Sequence, residues 1–103
     1  MHINEGMFIE NIVAQYLRAN GHRIVFYVCY NEKNELALEI DFLIRLDRKV
    51  IPIEVKSSNE YTTKSLEKFK KKFSNKIGLQ YVLHEGDIKR EQEIVYLRII
   101  LLQ

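Results

Sequence analysis

Between Leu36 and Lys56 apolar and polar residues alternate in two runs separated only by Asp47-Arg48, and a period of two is satisfied by extended strands. In the first run Leu36, Leu38, Ile40, Phe42, Ile44 and Leu46 share one face, and Ala37, Glu39, Asp41, Leu43 and Arg45 share the other. In the second, Lys49 to Lys56, the residues Ile51, Ile53 and Val55 alternate with Val50, Pro52, Glu54 and Lys56. Paired as an antiparallel hairpin across that turn, the runs set Leu46 opposite Lys49, Asp41 opposite Glu54 and Glu39 opposite Lys56; a four-residue loop would keep this register, and an odd-length loop would shift it by one and separate the faces. Pro52 withdraws one backbone donor, which places its strand at a sheet edge or interrupts one of its ladders.

Helical spacing of Phe8, Ile9, Ile12, Val13, Tyr16 and Leu17 predicts a first helix over Glu5 to Asn20, stopped by Asn20-Gly21. Arg23 to Tyr30, rich in β-branched and aromatic residues, reads as a strand. Leu66, Phe69 and Phe73 define a second helix over Thr62 to Phe73, with Ser and Thr residues ahead of it to cap it. Leu79 to Leu83 and Ile94 to Leu102 read as strands, and the polar stretch Glu85 to Glu93 between them as a loop or short helix. The order is α-β-β-β-α-β-β, an α/β domain with a central mixed β-sheet flanked by helices. A chain of 103 residues supports one core, so a single domain spans residues 1–103.

Sixteen Lys and Arg against 14 Asp and Glu leave a net charge of +2, too little to mark a nucleic-acid binder by total charge. The single Cys29 excludes an internal disulfide scaffold and reads as a small buried hydrophobe in a reducing compartment. Neither a secretory leader nor an apolar run near the ~20 residues of a membrane helix is visible, and a cytoplasmic location is expected.

The hairpin register carries the chemistry. Opposed carboxylates on neighbouring strands stand about 5 Å apart and repel by about 2–3 kcal/mol at an effective dielectric near 20. A divalent cation such as Mg²⁺, which takes carboxylate oxygens and keeps positions for water and phosphate, relieves that repulsion. Lys56, two residues from Glu54 on the same face, is placed to stabilise developing phosphoryl charge or to orient a water. As plain structure, Glu39, Asp41, Glu54 and Lys56 would form a solvated, partly self-neutralising sheet face.

Glu39-Ile40-Asp41-Phe42, with twelve residues separating Asp41 from Glu54-Val55-Lys56-Ser57-Ser58, resembles the D…(D/E)xK signature of the restriction-endonuclease-like PD-(D/E)XK nuclease superfamily. With Gly6 and Phe8-Ile9-Glu10-Asn11 added, the chain is more narrowly similar to an uncharacterised domain at the C-terminus of many prokaryotic AAA-type ATPases. The resemblance runs from about Glu5 to Leu102. It implies a restriction-endonuclease-like core in which Asp41 and Glu54 ligate Mg²⁺ or Mn²⁺, with the Val55 carbonyl as third ligand. It further implies that Lys56 orients the hydrolytic water and that Glu10 stands near the metal, although Glu10 would equally serve as a surface helix residue. Glu39 belongs to the narrower pattern and reads as a partner for Lys56. Ile40 stands where the superfamily often has proline.

Lys64, Lys68, Lys71 and Lys72 fall on one side of the second helix, opposite Leu66, Phe69 and Phe73, and would contact phosphates without reading sequence, or simply solvate the helix. His84, after an apolar strand, is assigned no role. The expected function is a metal-dependent nuclease-like domain that hydrolyses or binds nucleic acid, DNA before RNA, as a homodimer or beside an ATPase partner. The alternative is a non-catalytic accessory domain derived from the C-terminal part of an AAA-type ATPase, docking to proteins.

Overall fold

The computed structural model describes residues 5–56 and 62–99, with side chains described from residue 9 onward. Ser57, Ser58 and the apolar residues after Ile99 lie outside the described residues.

Helix α1 spans Glu5–Ala19 and buries Ile9, Ala14 and Leu17, while Ile12 and Tyr16 remain exposed. It ends where the sequence signals a stop. Gly21 adopts φ 83°, a conformation without penalty only for glycine, and its N–H bonds the Arg18 carbonyl while the His22 N–H bonds that of Leu17. Helix α2, Lys64–Phe73, buries Leu66 and Phe69, each contributing about 1.5–3 kcal/mol by burial. Thr63 at its start makes no capping hydrogen bond, contrary to expectation; its hydroxyl lies 3.5 Å from the Glu67 carboxylate.

The strands are β1 (Val25–Tyr30), β2 (Leu36–Leu46), β3 (Lys49–Val55), β4 (Gln80–His84), β5 (Lys89–Glu91) and β6 (Ile94–Arg98). They form one six-stranded sheet in the order β1-β2-β3-β4-β6-β5. β2 runs antiparallel to both of its neighbours, β1 and β3; β3, β4 and β6 run parallel, and β5 returns antiparallel to β6. The fold is therefore mixed α/β, an open sheet with α1 and α2 packed against separate parts of its core. β5 corrects the reading of Glu85 to Glu93 as a loop or helix: three charged residues carry no hydrophobic period, and an exposed edge strand requires none. No helix among the described residues is long and apolar enough to cross a membrane.

Pro52 lies on a central strand, so the interrupted-ladder alternative applies. The Val50 carbonyl accepts from the Gly78 N–H at 3.1 Å and the Lys56 N–H donates to the Leu83 carbonyl at 2.8 Å, so even-numbered residues of β3 turn their backbone groups toward β4. Pro52 between them has no N–H to offer. Only a single bridge, Val50 to Ile77, precedes the β3–β4 ladder, which begins at Ile53 and Tyr81.

β2 departs from simple alternation. It pairs with β1 as Val25–Leu43 and then Tyr27–Ile40, so Phe26 opposes two residues, Asp41 and Phe42. This is a β-bulge, and it reverses which way the following side chains point. Leu38, Ile40 and Leu43 pack with Leu66 and Phe69 of α2, whereas Phe42 and Ile44 pack with Ile9 and Leu17 of α1. The expected single apolar face of β2 is thus divided between two cores.

Candidate functional site

The turn Asp47-Arg48 fixes the site. Asp47 takes φ 56°, its carbonyl accepts from the Arg45 guanidinium at 3.1 Å, and the two-residue connection holds Leu46 opposite Lys49. The same register runs to Phe42 opposite Ile53, where the backbone ladder ends. One residue further, where the bulge displaces Asp41, side chains replace backbone carbonyls. Glu54 Oε1 accepts the Asp41 N–H at 2.8 Å, and Asp41 Oδ2 accepts the Val55 N–H at 2.8 Å. Glu54 Oε2 in turn holds Lys56 Nζ at 3.0 Å. Glu54 is only 4% exposed, and its carboxylate is thus engaged at both oxygens.

Electrostatics record the crowding. Burial, followed by the charge of Asp41, pushes the Glu54 carboxyl above its ordinary range. Burial also raises Asp41, although the Val55 N–H and Lys56 work against the shift. Glu10, on α1, is raised by burial and then by the charges of Asp41, Glu39 and Glu54. Glu10 and Asp41 are thus both held above the ordinary carboxyl range, chiefly by burial. The fold thus joins Asp41, Glu54 and Lys56 through direct bonds, with Glu10 near enough to feel the charges of both acids. Glu39 is exposed opposite Val28, and the ammonium of Lys56 bridges to Glu54, not to Glu39 as the register alone suggested.

Mg²⁺ or Mn²⁺ takes hard oxygen donors and retains several waters. Asp41 and Glu54 match that set in kind, as does the Val55 carbonyl, which strand alternation turns toward β2 together with its N–H. Among the described residues no three His, Cys, Asp or Glu side chains stand together at metal-holding spacing. The protein donors on offer are therefore two carboxylates and a carbonyl, which leaves the other positions of such an ion to water and substrate oxygens.

The model of DUF4143, a domain of unknown function, matches residues 5–101. The chain belongs to the DUF4143 family. This family is associated with the C-termini of AAA-type ATPases, in keeping with the narrower of the two resemblances. Comparison with curated proteins gives no match. Among solved structures, the DUF4143 chain is similar to a crystal structure of a protein of unknown function, AF1548, at 19% identity and a TM-score of 0.56. The match covers 88% of this chain and 56% of that one, so the DUF4143 domain spans little more than half the length of its structural neighbour, and the likeness concerns fold.

Lys64, Lys68, Lys71 and Lys72 of the DUF4143 domain's α2 are exposed, Lys70 is half-buried, and the exposed four are not all directed alike. Lys68 Nζ lies 3.5 Å from the Ala37 carbonyl. Lys72 donates to the Tyr27 hydroxyl at 3.2 Å and to Cys29 Sγ at 3.5 Å, over the rings of Tyr27 and Phe73. Those hydrogen bonds push its ammonium above the usual lysine range; Cys29, expected as a buried small hydrophobe, is half-buried at the margin of the α2 core. Lys64 lines an open cleft of 740 Å³ with Thr62, Thr63, His84, Lys89 and Tyr96. Sequence reasoning passed over His84. It is 6% exposed, its Nε2 lies 2.8 Å from the Asp87 carbonyl, and its ring packs on Tyr96 at 5.3 Å. The cleft does not include Asp41 or Glu54. It lies beside them, because His84 ends β4 two residues past Val82, the partner of Glu54.

Proposed function

We propose that this domain is a divalent-metal-dependent phosphodiester hydrolase acting on nucleic acid. The observation that carries the reading is the reciprocal bonding of Asp41 and Glu54 across the end of a strand pair, with Lys56 held at 3.0 Å from Glu54. Two part-buried carboxylates whose pKa values are both raised form an arrangement that self-repels without a cation. Asp41, Glu54 and the Val55 carbonyl would hold the ion. A bound Mg²⁺ or Mn²⁺ supplies Lewis-acid polarisation of a phosphoryl oxygen and a more acidic water.

The remaining work falls to the chain's own groups. Backbone N–H groups of Asp41 and Val55 fix the two carboxylates in place, so little reorganisation is needed when a substrate phosphate arrives. Lys56 keeps a cation beside the reacting position, stabilising charge on the phosphate or orienting the attacking water. Glu10, its carboxyl raised by burial and by the neighbouring carboxylates, can take up or release a proton beside the site. Lys64 and Lys71 supply exposed positive charge for neighbouring phosphates.

The test is cleavage of single- and double-stranded DNA and RNA by purified protein with Mn²⁺ or Mg²⁺. Activity that is lost in Asp41→Asn and Lys56→Ala, with folding retained, supports the reading. A folded protein with neither cleavage nor calorimetric binding of Mn²⁺ overturns it.

A second reading, an accessory domain without chemistry, rests on the same hydrogen bonds: each carboxylate already satisfies a backbone N–H of the opposite strand, so the pair also works as a structural clip. Under that reading, Asp41→Asn and Lys56→Ala leave cellular function intact.

A further inference from the structure

The two edges of the sheet are built on opposite principles. Edge strand β5 is Lys89-Arg90-Glu91, three residues that are all charged, and charge on a short edge prevents pairing with other chains. Edge strand β1 is Val-Phe-Tyr-Val-Cys-Tyr, twice as long, with no charge and no proline. Its outer side chains are bare: Phe26 and Tyr30 are each 60% exposed, with Val25 and Val28 about half exposed. Leu36, paired with Tyr30, extends the patch at 55% exposure.

We propose that β1 is the interface of a homodimer, formed when β1 of one copy pairs antiparallel with β1 of a second and joins two six-stranded sheets into one. A second copy fits for three reasons. A two-fold axis perpendicular to the sheet sets β1 against itself antiparallel, and a strand without charges meets no like charge across that axis. Beyond the strand ends, the same axis brings the exposed basic end, Arg23, beside the partner's exposed loop, whose Glu32 and Glu35 outweigh its Lys33, whereas parallel pairing would oppose like ends. Because β5 is guarded by charge, pairing uses the one open edge of each copy and closes as a dimer rather than growing into a fibre.

The area is sufficient for a modest affinity. At 60% exposure Phe26 and Tyr30 each offer about 100 Å² or more, and with the valines and Leu36 they supply roughly half of the ~800 Å² that a standard interface takes from each partner. Backbone pairing and the flanking charges supply the remainder. The inference is independent of the hydrolase reading, since β1 holds none of the residues placed in that site.

Sedimentation equilibrium of the chain tests this over a concentration series reaching about 100 µM. The expected result is a species of twice 12.3 kDa at the upper end. Val28→Lys, whose new ammonium can pair within the monomer with Glu39 opposite it, is expected to weaken dimerisation about thirtyfold or more. Its circular dichroism should match wild type. Amide exchange supplies a readout that needs no variant: amides of residues 25–30 facing away from β2 should slow as concentration rises. A monomer throughout the series overturns the proposal, as do a dimer unaffected by Val28→Lys, open-ended oligomers, and exchange in β1 that does not change with concentration.

Discussion

Asp41 and Glu54 are joined without touching as acid and base: each carboxylate accepts a backbone N–H from the other's strand, Glu54 from Asp41 and Asp41 from Val55, both at 2.8 Å. Two like charges are thereby held where the ladder would otherwise supply carbonyls. The energetic conflict between satisfied hydrogen bonds and unrelieved repulsion makes the site testable apart from any catalysis.

The acid side of the stability curve should carry its signature. Glu10, Asp41 and Glu54 all have native pKa values above their ordinary ones, near 4 in the unfolded chain. Over the window between the unfolded and native values the folded state binds more protons, so stability falls as pH rises through it. In chelator, the melting temperature should therefore be higher at mildly acidic than at neutral pH, and Asp41→Asn should flatten that slope. A wild-type melting temperature that only declines from neutral pH downward would contradict the raised values.

Glu54→Ala and Glu54→Gln should separate. Alanine leaves the Asp41 N–H without its acceptor, a loss of about 1–3 kcal/mol, whereas glutamine retains a side-chain oxygen at that point. In urea unfolding the Gln variant is expected to be the more stable of the two by about that amount. Equal midpoints would mean that the hydrogen bond contributes nothing.

The bulge at Asp41 and Phe42 predicts which residues couple. Ile40 shares a core with Leu66, and Phe42 packs with α1 instead. Truncations at Ile40 and Leu66 should therefore be non-additive by about 0.5 kcal/mol or more, while those at Phe42 and Leu66 should add. Phe42→Ala by itself should cost about 3–5 kcal/mol. Coupling of Phe42 to Leu66 at the Ile40 level would restore the single-face reading.

For nucleic acid, removal of an exposed α2 lysine that meets a phosphate should lower the salt dependence of binding by about one unit and weaken all sequences alike. Lys71→Ala is expected to do so. Lys72→Ala should do so less, because its ammonium is already held by Tyr27 and Cys29. Fluorescence anisotropy over a salt series reads both, and identical slopes for wild type and Lys71→Ala would remove that lysine from the interface.

The juxtaposition of Asp41 and Glu54 was legible in the sequence because a two-residue turn leaves the hairpin register little freedom. The extra residue was not. A bulge leaves the period of the sequence intact and changes only what the partner strand opposes, so Leu36 to Leu46 reads as one face although β1 divides it at Phe26. That displacement also explains why Lys56 bridges to Glu54 and leaves Glu39 in solvent. β5 escaped notice because Lys89, Arg90 and Glu91 bury nothing, and Thr63 looked like a cap because residue type does not determine where a hydroxyl points.

One consequence of the divided strand concerns how the molecule comes apart. β2 gives Leu38 and Ile40 to one core and Phe42 and Ile44 to the other, so eleven consecutive residues serve as a beam clamped from both sides. Loosening either helix removes the support from its half of the beam, and the strand cannot bend there without disturbing the half packed in the other core. Both cores must then fail together, and a chain with two small hydrophobic clusters should melt in a single step.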